Sequence, residues 1–390
     1  MSCRIPRLAL LALAAFAALA SPARAAAPYL VGVIVSKEGT ARTAGDAQAL
    51  AAVAYASRLR ASGGIFGTPM SVSIQDDAGD PTQALAAAQS LVADGALALV
   101  CCTVPAAADR VAAWAEQTGV VVLSPAVLQN VAAPPYWTFS LAPRDVDALG
   151  AVVADAQAHG AGSVAVMTLD NAFGDATLKD VKALLGIAGM QLAGEARYPP
   201  GATDLTPEGL WVATRQPDAV IVWGLKRDLT LALQGLRQRG YQGPVYGRTA
   251  LLRAVVGGLD LSRLPGVRFA VPPVTVASGL AADAPCAAAA ETAARRLDAV
   301  YHGIIDLPSA APVYDALDLL RRGLEQVAAL RLPDADLAKR RQALRDSLVG
   351  LPPTCGAGGR YDLREGEREA ALPSGLAIAT VQAGQLVAAP

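Results

Sequence analysis

The sequence predicts an α/β protein made of two doubly wound α/β lobes, with a leader ahead of them. Three observations point there. Short β-branched runs alternate with longer alanine-rich stretches, the pattern of parallel strands joined by helical crossovers. That alternation restarts at Ser163, so two sheets are expected in succession. The chain has 390 residues, and the 365 left after a 25-residue leader exceed what one core usually carries.

The leader comes first. "MSCRIPRLALLALAAFAALASPARA" begins with Arg4 and Arg7, runs apolar from Leu8 to Ala20 and ends on the small-residue site Ala23-Arg24-Ala25. That is the layout of a secretory signal peptide over 1–25, so the mature protein is expected to be exported and soluble. The apolar run falls short of the ~20 residues a membrane-spanning helix needs. Cys3 precedes the run, so no lipid anchor on a new N-terminal cysteine is expected.

In the first half, strands are expected at Leu30–Val35, Ser71–Asp76, Ala96–Cys101 and Val120–Leu123. Helices fall between them around Asp46–Ser62, Pro81–Asp94 and Ala106–Thr118. The second half repeats the pattern with strands at Ser163–Leu169, Gln191–Tyr198, Ala219–Trp223 and Pro244–Tyr246. Its helices lie around Asp175–Gly189, Asp204–Thr214 and Arg227–Gly240. A third part, Ala287–Leu351, is mostly helical and has too few strands for a lobe of its own, so it is expected to pack back on the first two. The tail reads as a hairpin-like pair of strands.

Composition removes several function classes. Net charge is −1 with acids and bases interspersed, so neither a nucleic-acid stripe nor a basic membrane-binding helix is present. The two histidines, His159 and His302, have no metal-ligand spacing. No G-x-S-x-G elbow, P-loop or G-x-G-x-x-G occurs. "VSKEGTARTAG" follows the first strand and leads into a helix, as an anion loop would, but Gly39 and Gly45 have the wrong spacing for a dinucleotide. Asp76 and Asp77 read as a strand-end turn ahead of the helix start Asp80-Pro81. No catalytic residue, cofactor or metal is expected.

The stretch "ASGGIFGTPMSVSIQDDAGDPTQALAAAQSLV" resembles the periplasmic leucine/isoleucine/valine-binding protein family, the type 1 solute-binding proteins of ABC importers. Gly63, Gly64, Ile65, Gly67, Asp76, Asp77, Asp80 and Pro81 carry the likeness. "GVVVLSPAV" (Gly119–Val127), "LDNAFGDA" (Leu169–Ala176), "QPDAVIVWG" (Gln216–Gly224) and "VYDALDLL" (Val313–Leu320) continue it in the family's order. The resemblance implies two lobes joined by three crossover strands, with a small-molecule ligand clasped between them. It also implies a periplasmic, monomeric protein whose loaded form a membrane permease recognises. Lobe 1 is then 26–142 plus 273–354 and lobe 2 is 143–272 plus 355–390, with crossovers near Ser140–Arg144, Val271–Pro273 and Thr354–Gly358, where proline and glycine cluster.

Two open sheets facing each other put their strand-end loops on one cleft. The ligand-binding residues expected there are Cys102, Thr103, Val104, Ser124, Ala126 and Val127 on the first side, and Phe173, Leu225, Arg248 and Thr249 on the second. Set against the family, Thr103 is the one hydroxyl left in the serine-rich segment, Phe173 and Leu225 stand at aromatic positions, and the acid after "VYG" is absent. A buried ammonium with no counter-charge costs several kcal/mol, on the order of the penalty for an unpaired ion. The reading is therefore a larger, more apolar ligand than an ordinary zwitterionic amino acid, with Leu128 and Ala44 at the pocket wall. Arg248 and the backbone N–H groups of Thr103 and Val127 would hold its carboxylate or polar oxygen.

Four cysteines survive cleavage in an oxidising compartment. Cys286 and Cys355 are expected to bond, since the third crossover can pass beside the helix that Cys286 precedes. In family members a cysteine near Cys101 pairs with one in the "DDxxDP" turn, where Gly79 now stands. Cys101 and Cys102 are then free thiols, which we place first, or partners of the other two cysteines, or bonded to each other. In each case they are expected to face the ligand. A ligand sensor of the same fold signalling to a receptor or kinase is the alternative function, and an exported enzyme is a third.

Overall fold

The first sheet is wholly parallel, in the order β2-β1-β3-β4-β5: β1 (Tyr29–Val35), β2 (Met70–Asp76), β3 (Ala98–Cys101), β4 (Val121–Ser124) and β5 (Thr138–Ser140). Helices α1 (Arg42–Ala61), α2 (Pro81–Ala93) and α3 (Pro105–Thr118) cross between them. Covered on both faces, β1, β3 and β4 read as nearly unbroken apolar runs, which is why they were visible in the sequence. The caps are local. Asp80 accepts from the N–H groups of Thr82 and Gln83 at 2.9 and 2.8 Å ahead of Pro81, and α3 ends at Gly119 in the left-handed region. The computed structural model describes residues 27–129, 136–225, 227–249, 260–303, 305–364 and 368–390. The expected leader, 1–25, lies outside them.

The second sheet runs β15-β14-β10-β9-β8-β6-β7. Its parallel part is β6 (Ser163–Leu169), β7 (Gln191–Tyr198), β8 (Ala219–Trp223), β9 (Val245–Gly247) and β10 (Val267–Val271). Helices α4 (Asp145–Ala158), α5 (Ala172–Ala188), α6 (Thr206–Thr214) and α7 (Asp228–Gln238) belong to it. The expected tail hairpin is β14 (Ala377–Gln382) and β15 (Gln385–Ala388), added antiparallel at the edge. Its two-residue turn, Ala383-Gly384, has positive φ at both positions, the twist that two-residue hairpins favour.

Each sheet begins with the same close approach. A Cβ on Gly45 of α1 would overlap the carbonyl of Ser36 at the end of β1, and one on Gly174 of α5 would overlap that of Leu169 at the end of β6. The third part resolves into α8 (Ala287–Tyr301), α9 (Leu307–Ala329) and α10 (Leu337–Val349). It was expected to pack back on both lobes, and its buried residues join the core of the first sheet. Leu317, Leu320 and Leu324 of α9 share a core with Val31, Tyr55 and Val100. Tyr55 meets Tyr314 edge-on at 5.0 Å and donates to Asp318 at 2.9 Å.

The chain passes from the first sheet to the second after β5 and returns after β10, where Val274 joins the first core. A third passage was expected at Thr354–Gly358. That segment instead enters a small sheet of β11 (Thr354–Cys355), β12 (Arg360–Tyr361) and β13 (Ala371–Leu372). Ala357, Tyr361, Leu363 and Ala371 pack in the first core, and the chain reaches β14 only beyond Pro373. Among the described residues no helix is long and apolar enough to cross a membrane.

Both cysteine pairs are disulfides. Cys286, just ahead of α8, is bonded to Cys355 of β11 with Cα atoms 5.0 Å apart, as expected. Cys101 is bonded to Cys102, not left as free thiols.

Candidate functional site

A cavity of about 360 Å³ lies where the C-terminal ends of the two sheets' strands face each other, within the size range of small-ligand pockets. From the first sheet it is lined by Thr103, Pro105, Ala126, Val127 and Gln129. From the second come Asp145, Arg248, Thr249, Ala270 and Val271, and Pro308, Pro312 and Gly358 close a side.

Of the ten residues expected here, Thr103, Ala126, Val127, Arg248 and Thr249 line the cavity. The Thr103 hydroxyl accepts from the Ser36 N–H at 2.9 Å and donates to Gln48 at 2.7 Å, which ties the loop after β3 to the loop after β1. Ser36 in turn donates to Asp77 at 2.7 Å, so the acidic turn braces this wall from behind, matching its structural reading. Ser124 is fully buried. Its hydroxyl donates to the Ala126 carbonyl at 2.8 Å and folds the Ser-Pro-Ala turn that presents Val127. Thr249 donates to the Ala270 carbonyl. The hydroxyls of Thr103, Ser124 and Thr249 are thus engaged within the protein, whereas that of Thr275, which also lines the cavity, has no partner among the described residues.

The other four stand elsewhere. Cys102 is fully buried with Cys101, against Leu91, Ala107 and Val111, so the pair faces the helices that cover the sheet and not the cavity. Pleat alternation places Cys101 after Leu99 on the face turned to α2 and α3, and Cys102 is carried to the same side by its bond to Cys101. Leu128 joins the same core. Val104 is the residue just ahead of α3, and Leu225 is half exposed in the turn before α7. Phe173 lies behind the wall, with the Arg248 guanidinium 4.9 Å over its ring.

The main feature that sequence reading missed is Asp145. It sits in the first turn of α4 and grips Arg248 in a fork: Nε to Oδ1 at 3.0 Å and Nη2 to Oδ2 at 2.7 Å. The expectation that the second wall has no acid is corrected by this residue, supplied from α4 and not from the strand end after "VYG". The pair is 103 positions apart in sequence. The available hint was the helix start just past the expected crossover. Arg144 beside it is held by Asp147 at 3.0 Å. The cavity's charged lining residues are Arg144, Asp145 and Arg248. Among the described residues no group of three or more His, Cys, Asp or Glu side chains is placed to hold a metal.

A putative branched-chain amino acid ABC transporter structure from Rhodospirillum rubrum superposes with a TM-score of 0.74 at 22% identity, covering 93% of this chain and all of that one (100%). An extracellular ligand-binding receptor from Rhodopseudomonas palustris gives 0.69 at 22%, covering 93% and 99%. A solute-binding protein of an ABC transporter from R. palustris, solved with benzoate, gives 0.58 at 16%, covering 93% and 95%. At these identities the likeness is one of fold. No curated protein matches the chain. The periplasmic binding protein family profile, however, matches residues 28–385, and with two α/β sheets facing one cleft, the chain belongs to that family.

Proposed function

We propose that this protein is the solute-capture component of an ABC importer, closing its two sheets as lobes on a small organic carboxylate with an apolar body and presenting the loaded form to a membrane permease. The observation that carries the reading is the fork between Asp145 and Arg248 inside the cavity. Asp145 takes Nε and Nη2, and Phe173 supports the guanidinium from one face, so Arg248 is held in one orientation, and among the described residues Nη1 has no hydrogen-bond partner and is left for a ligand oxygen. An oriented guanidinium suits a carboxylate. The remaining wall is largely apolar: Leu141, Ala142, Pro143, Pro272, Pro312 and Leu376. An amino acid's ammonium would have to displace Arg248 from Asp145, so free amino acids are the weaker fit.

Closure follows from binding that favours the closed arrangement. Thermal unfolding in the presence of benzoate, hexanoate, leucine and valine tests the ligand class. A ligand at a hundredfold excess over Kd stabilises by about 2.7 kcal/mol. The carboxylates should raise the midpoint, and Arg248→Met should remove the rise. A larger rise with leucine or valine than with either carboxylate would reject this ligand class.

A further inference from the structure

Between the ligand cavity and α8 lies a turn, Gly356–Gly358, with a fully buried carboxylate at its centre. Asp315 reaches out from α9. One oxygen accepts the Ala357 N–H at 2.7 Å, and the other accepts the Gly358 N–H at 2.7 Å and the Tyr361 hydroxyl at 2.8 Å. The approach is so close that a Cβ on Gly356 would overlap the carboxylate, and one on Gly358 would lie 2.6 Å from the Tyr361 hydroxyl. The Ala357 carbonyl, on the other side of the same peptide plane, accepts the Val274 N–H at 3.0 Å. One carboxylate therefore fastens the turn to α9, and through the turn it fastens the chain leaving β10.

We propose that Asp315 is a positioning residue for the ligand cavity: its carboxylate fixes the Gly356–Gly358 turn and, through Val274, the chain leaving β10, so that Gly358, Pro272, Pro308 and Pro312 form one wall. The inference rests on the cavity being the ligand site. All four wall residues line it, and none carries a group that binds a ligand by charge. Their value is their placement, and Asp315 sets it. Asparagine has one acceptor oxygen where Asp315 uses two, so Asp315→Asn leaves one of the two backbone N–H groups unpartnered.

Affinity and stability should respond to acid in opposite senses. Burial pushes the Asp315 carboxyl up to about 6. The groups around it are Tyr361 on β12 and Asp318 on the same helix, with Arg296 and Arg322 on the adjoining surface. Protonation relieves a buried charge, so the ligand-free fold gains from it. The same proton withdraws one acceptor site from the turn, so the wall loosens and affinity falls.

The test uses the full mature chain and its Asp315→Asn variant, with benzoate as the calorimetric probe at pH 7.5 and pH 5, and hydrogen exchange without ligand. The variant should exchange faster at Val274, Ala357 and Gly358 and bind benzoate about tenfold more weakly, the order expected for one lost buried hydrogen bond. Wild-type affinity should fall between pH 7.5 and 5 while the variant's stays level. Faster exchange with unchanged affinity would make Asp315 a structural tether only and overturn the proposal, as would unchanged exchange. If the wild type does not bind benzoate, the affinity comparison is made with hexanoate; binding of neither rejects the proposed ligand class, and unchanged exchange at Val274, Ala357 and Gly358 overturns the role of Asp315 in every case.

Discussion

Replacing both Cys286 and Cys355 by alanine should cost the protein about 4 kcal/mol. The bond joins positions separated by 69 residues, and closing a loop of that length removes roughly 15 cal/mol/K from the unfolded chain in the loop-entropy description, about 4 kcal/mol at room temperature. The native geometry adds no reason for a smaller value: the Cα atoms are 5.0 Å apart, within the usual range, and Cys286 is buried at the start of α8. The enclosed chain includes α8, α9 and α10, so the cost falls on the first core. For a cooperative unit of roughly 200 to 360 residues, the thermal midpoint should drop by about 5–10 °C. Circular dichroism melting of the double variant without ligand reads this directly. A drop of less than about 1 °C, or free thiols at both positions in non-reducing peptide mapping of the wild type, would refute the reasoning.

Two further outcomes follow from the fold. Gly45→Ala should destabilise by about 3 kcal/mol, since its Cβ meets the Ser36 carbonyl backbone with no flexible side chain to yield; a chemical-denaturation midpoint equal to wild type would contradict the close approach. For Asp315 the sign is that of an acid whose folded value is raised: its stabilising contribution is fully present below the unfolded value of 3.8 and is lost as pH rises through about 6. Wild-type stability relative to Asp315→Asn should therefore improve by about 3 kcal/mol from pH 7.5 to pH 3.5, and a parallel pH dependence of the two proteins would rule out that linkage.

What was legible in the sequence was what is local. β1, β3, β4, β6 and β8 are buried, mainly apolar runs, and Asp80-Pro81 marks a helix start by its own chemistry. The cleft's edges followed from the rule that open α/β sheets bind at strand C-termini, and Thr103, Val127 and Arg248, expected at that edge, line the cavity. What was hidden is pairwise and distant. Asp145 finds Arg248 across 103 positions, and Thr103 finds Gln48 across 55. No periodicity reports such partners. The direction of the Cys101–Cys102 pair depended on which sheet face Leu99 presents, and both faces of that sheet are apolar, so composition could not tell them apart.

The two cavity walls divide the work of recognition unequally. On the first, the Thr103 and Ser124 hydroxyls are consumed in shaping loops, so what remains there is backbone, apolar side chain and the uncharged amide of Gln129. On the second, Arg248 and Asp145 arrive already paired. A lone arginine would lose rotamer freedom when it gripped a ligand, but one held by Asp145 and Phe173 has lost it on folding. Under the proposed function, charge recognition therefore belongs to the second wall, in place before the ligand arrives. On the same proposal the first wall would act by closing, excluding water and bringing Ala126 and Val127, which line the cavity, against the ligand's apolar part. On this division, changes at Arg248 should alter which ligands bind, whereas changes at Ala126 or Val127 should alter how large a ligand the closed form accepts.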